Sequence, residues 1–341
     1  DAFTDHAISQ VRRMAASPRP FFLHVAYNAP HYPMQARAED IAKQKGRYDA
    51  GYLDVRRRRY ERLKEMGIVP PGSRLPELDT RIGKTRYDLE VPDWNKIPDR
   101  ARQIQLMEVY AAMVSRLDHG VGRLLASLRE AGVEKNTLVL FLSDNGGCAS
   151  MPLPSEMAQY NDYNLGTTPG SKQSYELCGP GWAAAQSAPF RRYKTWTYEG
   201  GISTPMIARW PGTVPENRVS HEPGHLVDIF PALRDLAGGA KNLTGDGTSL
   251  VGRLRGEAGP ARREMWWYLY GSRAYRQGRW KVVFGVTRRE WELYDIESDR
   301  TETQNLAAKH PEVLKQLTGK WFAIAKRSEV DWETDQKGDR L

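Results

Sequence analysis

Thr137-Leu138-Val139-Leu140-Phe141-Leu142-Ser143-Asp144-Asn145-Gly146-Gly147 is the stretch on which the reading of the chain turns. Its first six residues have the length and the β-branched and aromatic content of a buried strand. The run then stops at a carboxylate, a carboxamide and two glycines. Ligands of open α/β sheets sit beyond the carboxyl ends of strands. Adjacent Asp and Asn offer hard oxygens that suit Ca²⁺ or Mg²⁺ better than softer metals. Asn-Gly is equally a turn signal in any protein, so these five residues leave a plain turn and a metal site both open.

Upstream, Ile104, Met107, Ala111, Val114, Leu117, Val121, Leu124 and Leu128 recur at three- and four-residue steps. That spacing predicts a helix over 101–130 with one apolar face, stopped by Gly132. The same helix-then-strand order occurs earlier. Residues 3–16 are amphipathic, Ser17-Pro18-Arg19-Pro20 breaks them, and Phe21–Tyr27 reads as a buried strand with His24 as a hydrogen-bonded core residue. Two such units indicate an α/β arrangement. The second strand ends in Asn28-Ala29-Pro30-His31-Tyr32-Pro33, whose prolines stiffen the backbone around His31. Residues 36–67 read as helical and basic, and 70–98 as a long surface excursion. The Gly/Pro/Ser/Asn/Tyr-rich stretch 151–190 reads as an irregular insertion of a length that is commonly functional. Tyr193–Gly201 leads into a strand over 204–210, and a helix follows over 225–237. Beyond residue 258, four short aromatic strands (265–270, 274–276, 280–284, 291–294) precede a helix over 310–327. They predict a small antiparallel sheet with a packed helix.

The chain has 341 residues and a formal net charge of +8, which favours anionic partners. Part of the excess lies in Arg56-Arg57-Arg58-Arg59 with Arg62 and Lys64, read as a solvated helix face or a lid over an anionic substrate. No nucleic-acid module accompanies it, and no apolar stretch reaches membrane-span length. Cys148 and Cys178 lack zinc spacing and allow at most one disulfide. Asn242-Leu243-Thr244 is a glycosylation sequon that matters only in a eukaryotic secretory protein.

Three loops with functional side chains therefore border strands: His31, Asp144-Asn145, and Lys194-Thr195-Trp196-Thr197-Tyr198-Glu199-Gly200-Gly201. Together with Tyr110–Asp118, Thr204-Pro205, Leu226–Pro231, Glu292–Asp295, Glu302, Asn305-Leu306 and His310-Pro311-Glu312, they occur in an order that resembles the sulfatase family of the alkaline-phosphatase superfamily. Gly179-Pro180-Gly181-Trp182-Ala183 is most similar to bacterial arylsulfatase-type members. The resemblance implies an α/β fold, here part of a large mixed, mostly parallel sheet flanked by helices, with a small C-terminal antiparallel sheet plus helix. It implies two units, 1–258 from the catalytic domain and 259–341 as the terminal subdomain. It also implies Ca²⁺ (or Mg²⁺) ligation by Asp144 and Asn145. Lys194 would hold the sulfate and the leaving-group oxygen, and His31 would assist leaving-group departure. A sulfate-ester small molecule or sulfated glycan would be the substrate, with export to the periplasm or outside the cell.

The departures from the family are expectations in their own right. The paired aspartates of the family's N-terminal strand and its Cys (or Ser)-x-Pro (or Ala)-x-Arg tract, the source of the formylglycine nucleophile, are not in the chain. Cys148 and Cys178 have the wrong neighbours. The chain thus reads as the C-terminal portion of a sulfatase, with formylglycine expected upstream of Asp1, a weakened metal site, and sheet edges open to the missing segment or a complementing chain. By itself it is expected to be inactive on sulfate esters. A phosphonate or phosphate ester hydrolase of the same superfamily, and a non-catalytic anion- or partner-binding fragment, are the alternatives.

Overall fold

The computed structural model describes residues 1–78, 90–152, 155–239, 245–257, 264–285 and 289–332. The sequon at 242–244, the boundary between 258 and 259, and the middle of the 70–98 excursion lie outside them. In chain order the elements are α1 (Ala2–Ala15), α2 (Ala38–Ala42), α3 (Gly51–Glu65), α4 (Arg100–Glu130), β1 (Val139–Leu142), α5 (Met157–Asn164), α6 (Gly179–Ser187), α7 (Glu199–Ile202), β2 (Met206–Arg209), α8 (Ile229–Leu236), α9 (Val251–Leu254), β3 (Glu264–Leu269), β4 (Ser272–Gln277), β5 (Trp280–Gly285), β6 (Glu290–Asp295) and α10 (Pro311–Arg327).

The long helix α4 starts where Asp99 accepts the Arg102 amide at 2.9 Å, a side-chain N-cap. It ends where Gly132 takes a left-handed φ of +72° and Val133 N donates back to Leu128 O at 3.1 Å, the glycine stop that the spacing predicts. The basic stretch 36–67 forms two helices rather than one. Gly46 between them and Gly51 at the start of α3 both have positive φ, and a Cβ on Gly51 would meet the Trp94 ring at 2.3 Å. The insertion 151–190 is more ordered than its composition suggests, since it contains α5 and α6. Trp182 of α6 is wholly buried among Tyr48, Tyr52 and Trp94 and donates to Gln103 O at 2.8 Å. Trp182→Ala is expected to cost about 3–5 kcal/mol, read as a lower denaturant midpoint.

Three expectations for the central region change. β1 and β2 pair antiparallel, Val139 opposite Arg209 through Leu142 opposite Met206, as the two-stranded sheet of the described residues there. Phe21–Tyr27 is extended and alternates half-buried with exposed, yet it has no ladder partner among the described residues. Tyr27 turns inward, its hydroxyl 2.9 Å from Thr4 Oγ1. Even-numbered positions turn outward, which leaves Phe22 67% exposed and His24 exposed instead of in the core. These faces, the apolar side of α4 (Val114, Leu117, Val121, Leu124) and that of α8 (Ile229, Phe230, Leu233) line one cleft of about 4010 Å³.

The C-terminal part follows its expected pattern. β3-β4-β5-β6 form a four-stranded antiparallel meander, and alternation of side chains divides its residues between two faces. Tyr275, Val282 and Leu293 pack with Leu317, Trp321 and Ala325 of α10. Ala274, Val283, Tyr294 and Ile296 join the main core with Trp182, Trp196 and Tyr198. The terminal sheet is therefore built into the core that carries the 193–201 loop.

Candidate functional site

Backbone contacts bring two of the three singled-out loops together. Gly146 N donates to Gly201 O (3.1 Å), and Lys194 N donates to Gly147 O (3.0 Å). Gly147 N donates to Ser187 Oγ of α6 at 3.0 Å. Only glycine permits this approach, since a Cβ at Gly146 would lie 1.8 Å from Gly200 O. The His31 loop is held from the insertion. Met34 N donates to Glu176 O (3.2 Å) and Ala36 N to Gly170 O (3.0 Å), while Gln35 Nε2 donates to Lys172 O and Ser174 O at 3.0 and 3.1 Å.

The result is a lysine–histidine pair on the wall of the cleft. Lys194 Nζ lies 3.3 Å from His31 Nε2, and His31 Nδ1 lies 2.9 Å from Tyr32 O. A carbonyl only accepts, so Nδ1 carries the proton and the neutral ring turns the Nε2 lone pair toward the ammonium. Asp144 and Asn145 line the same cleft. Asn145 donates from Nδ2 to Gly146 O at 2.9 Å. Ca²⁺ takes six to eight oxygens, whereas the described residues hold no group of three or more His, Cys, Asp or Glu that could bind a metal. The two side chains alone do not make a Ca²⁺ or Mg²⁺ site.

The basic helix is less solvated than its arginines suggest. Arg56 is buried and donates to Pro76 O, and burial lowers its guanidinium pKa to about 10. Arg59 Nε donates to Ala188 O at 2.7 Å, and Arg57 and Arg58 pair with Asp54. Arg58 and Arg59 do line the cleft. Both cysteines are free, and burial pushes the Cys178 thiol up to about 12.

One cluster had no counterpart in the sequence reading. The loop 191–201 is fastened to the terminal sheet by buried polar groups. Thr197 Oγ1 and Ser272 Oγ are 2.8 Å apart. Arg191 reaches Glu292 at 3.2 Å and Tyr294 OH at 2.9 Å and stacks 4.3 Å over Tyr198. Lys281 Nζ, fully buried, donates to Glu199 Oε1 and Glu302 Oε1, both at 2.8 Å, and Glu199 N donates to Glu302 Oε2 at 2.7 Å. Burial opposes ionisation of Glu199, but Lys281 and Arg300 outweigh it and hold that carboxyl below its usual range. Burial, with the neighbouring Glu199 charge and against the pull of Lys281, raises Glu302 to about 7. The available signal was Lys281 itself, a charge inside the apolar run Trp280-Lys281-Val282-Val283, since buried lysines are nearly always paired.

A raised carboxyl has a definite sign. Its stabilising contribution is full below the ordinary value of 4.5 and is lost as pH climbs through about 7. Wild-type Tm is expected to decline over that window. Glu302→Gln is expected to flatten the decline, checked by melts at pH 5 and 8.

The sulfatase family model matches residues 1–240. This chain belongs to the sulfatase family. A second model, the C-terminal region of N-sulphoglucosamine sulphohydrolase, matches residues 191–326 and spans both the Lys194 loop and its terminal-sheet anchors. An uncharacterized sulfatase of Schizosaccharomyces pombe is 32% identical across 94% of this chain and 60% of its own length. The arylsulfatase of Klebsiella aerogenes is 34% identical over 65% of this chain and 48% of its own. The chain thus spans about half to three-fifths of the length of these two relatives. Among solved structures, Ps i-CgsB in complex with k-i-k-neocarrahexaose shares the fold. Its TM-score is 0.55 at 23% identity, over 100% of this sulfatase chain and 56% of that one.

Proposed function

We propose that this chain supplies the leaving-group side of a sulfate-ester hydrolase site, with Lys194 and His31 as its working residues. The observation that carries this reading is the 3.3 Å approach of the Lys194 ammonium to His31 Nε2, on a wall shared with Asp144 and Asn145. As an S–O bond breaks, negative charge grows on the bridging oxygen. A fixed cation within hydrogen-bond reach lowers that barrier. His31 Nε2, turned toward the same side, is the atom placed to pass a proton to the departing oxygen. Asp144 and Asn145 would add two oxygens to a Ca²⁺ (or Mg²⁺) site completed by other ligands. A formylglycine carried by chain outside these residues would supply the nucleophile. The wide apolar cleft, faced by α4, α8 and the unladdered 21–27 segment, supports packing of such a segment there.

Sulfated glycans belong to the proposed substrate range, in line with the oligosaccharide held by Ps i-CgsB, beside sulfate esters of small molecules. Export to the periplasm or beyond the cell is part of the same reading. No helix among the described residues is long and apolar enough to cross a membrane. The test is a paired assay of the natural protein on 4-nitrophenyl sulfate and 4-nitrophenyl phosphate. A clear preference for the sulfate ester is expected; an equal or higher rate on the phosphate would move the assignment to a phosphate or phosphonate ester hydrolase.

A further inference from the structure

We propose that Lys281 is a positioning residue for Lys194 and that Glu302 tunes its grip: through Glu199, the terminal sheet clamps the loop that presents Lys194 to His31. The inference rests on the proposed role of the Lys194–His31 pair. Three observations carry it. The ammonium of Lys281 is fully buried and shared between two carboxylates at equal 2.8 Å distances, one on the Lys194 loop and one on the turn after β6. Glu302 also accepts the Glu199 amide at 2.7 Å, so one carboxylate grips both the side chain's cation and the first turn of α7. Glu302 adopts φ +56°, a conformation that non-glycine residues take at a cost. The preceding turn holds it there, with Asp299 accepting the Thr303 and Gln304 amides at 2.8 Å each. A strained residue fixed by its own turn and aimed at a buried lysine is built to meet that lysine.

The charges that face this cluster come from every element around it. Lys281 and Arg276 extend from β5 and β4, Glu199 from α7, and Glu302 and Arg300 from the turn after β6. Arg300 Nη2 lies 3.9 Å from Glu199 Oε2 and donates to Ser203 Oγ at 2.8 Å. Glu292 is occupied by Arg191, Tyr198 and Tyr294. When both carboxylates are ionised, one ammonium is divided between them, and the grip on the loop slackens. When Glu302 holds a proton, Lys281 pairs with Glu199 alone and the loop is held more firmly.

Two measurements on the full 341-residue chain test this. The first follows amide hydrogen exchange in residues 194–201 against β3–β6. The second follows the affinity for inorganic sulfate, read from the His31 ring resonances. Lys281→Met is expected to speed exchange of the 194–201 amides at least tenfold, leave the sheet amides unchanged, and weaken sulfate about tenfold. Glu302→Gln is expected to match wild type in sulfate affinity at pH 6 and to bind about threefold more tightly than wild type at pH 8. A general structural role would shift both pH values alike. The proposal is overturned by unchanged loop exchange in Lys281→Met, by loosened exchange with wild-type sulfate affinity, or by a Glu302→Gln ratio that is the same at both pH values. If Lys281→Met fails to fold, the Glu302→Gln ratio decides. Absence of sulfate binding in wild type would count against the Lys194–His31 reading, and the exchange arm would still judge the clamp.

Discussion

On the proposed function, Lys194→Ala is expected to lower kcat/KM on an aryl sulfate by about 10²–10³-fold, the range found when one preorganised donor to a developing oxyanion is removed. The ammonium stands 3.3 Å from His31 Nε2, and its backbone is fixed by the bond from Lys194 N to Gly147 O. The cation is therefore already in place when charge develops, and no reorganisation is needed at that moment. Loss should fall on kcat more than on KM, because the bridging oxygen carries less charge in the ground state than at bond breaking. Lys194→Arg should recover little, since a planar fork does not replace a compact point charge. Steady-state kinetics on 4-nitrophenyl sulfate check this. A decrease smaller than fivefold would remove Lys194 from the chemistry.

Gly200→Ala carries the second large effect, and its origin is steric. A Cβ there would sit 2.1 Å from Arg192 O and 2.3 Å from Arg191 O, while Gly146, across the contact, would place its own Cβ 1.8 Å from Gly200 O. These are main-chain carbonyls that cannot rotate aside as side chains do. The first turn of α7 must part from Arg191-Arg192, which breaks the bond from Gly200 N to Arg191 O. Overpacking of this kind costs about 1–3 kcal/mol and occasionally more, and the site should lose sulfate affinity with it. The control is Gly122→Ala on α4, where nothing lies within 4 Å. There alanine is the better helix former, and stability should rise by somewhat under 1 kcal/mol. Thermal melts of the two variants should move in opposite directions; parallel shifts would contradict the close-approach argument.

Much of the local structure was legible in the residues. The spacing from Ile104 to Leu128 marked α4, Gly132 marked its end, and the aromatic runs after residue 264 marked β3–β6 and α10, because these signals act within one element. The order of His31, Asp144-Asn145 and Lys194–Gly201 pointed to the site; backbone contacts join the last two loops, and the His31–Lys194 side-chain contact adds the first. Phe21–Tyr27 shows where such reading stops. Its composition specifies an extended chain with alternating faces, but a strand exists only where another backbone takes up its N–H and C=O groups. His24 followed the parity of that segment outward. Insertion 151–190 looked irregular because α6 is apolar on all sides, and burial against Tyr48, Tyr52 and Trp94, not periodicity, makes Gly179–Ser187 a helix.

The sequence by itself determined which residues meet one another along a helix or strand, the family, and the chemical types available at the site. Only the tertiary structure decided that Glu199, Lys281 and Glu302, separated by 82 and 21 residues, share one buried ammonium. It alone decided that the terminal sheet shares a core with the Lys194 loop. Local patterns depend on neighbours in the chain. A charge buried far from water takes its stability from partners that only folding brings within reach.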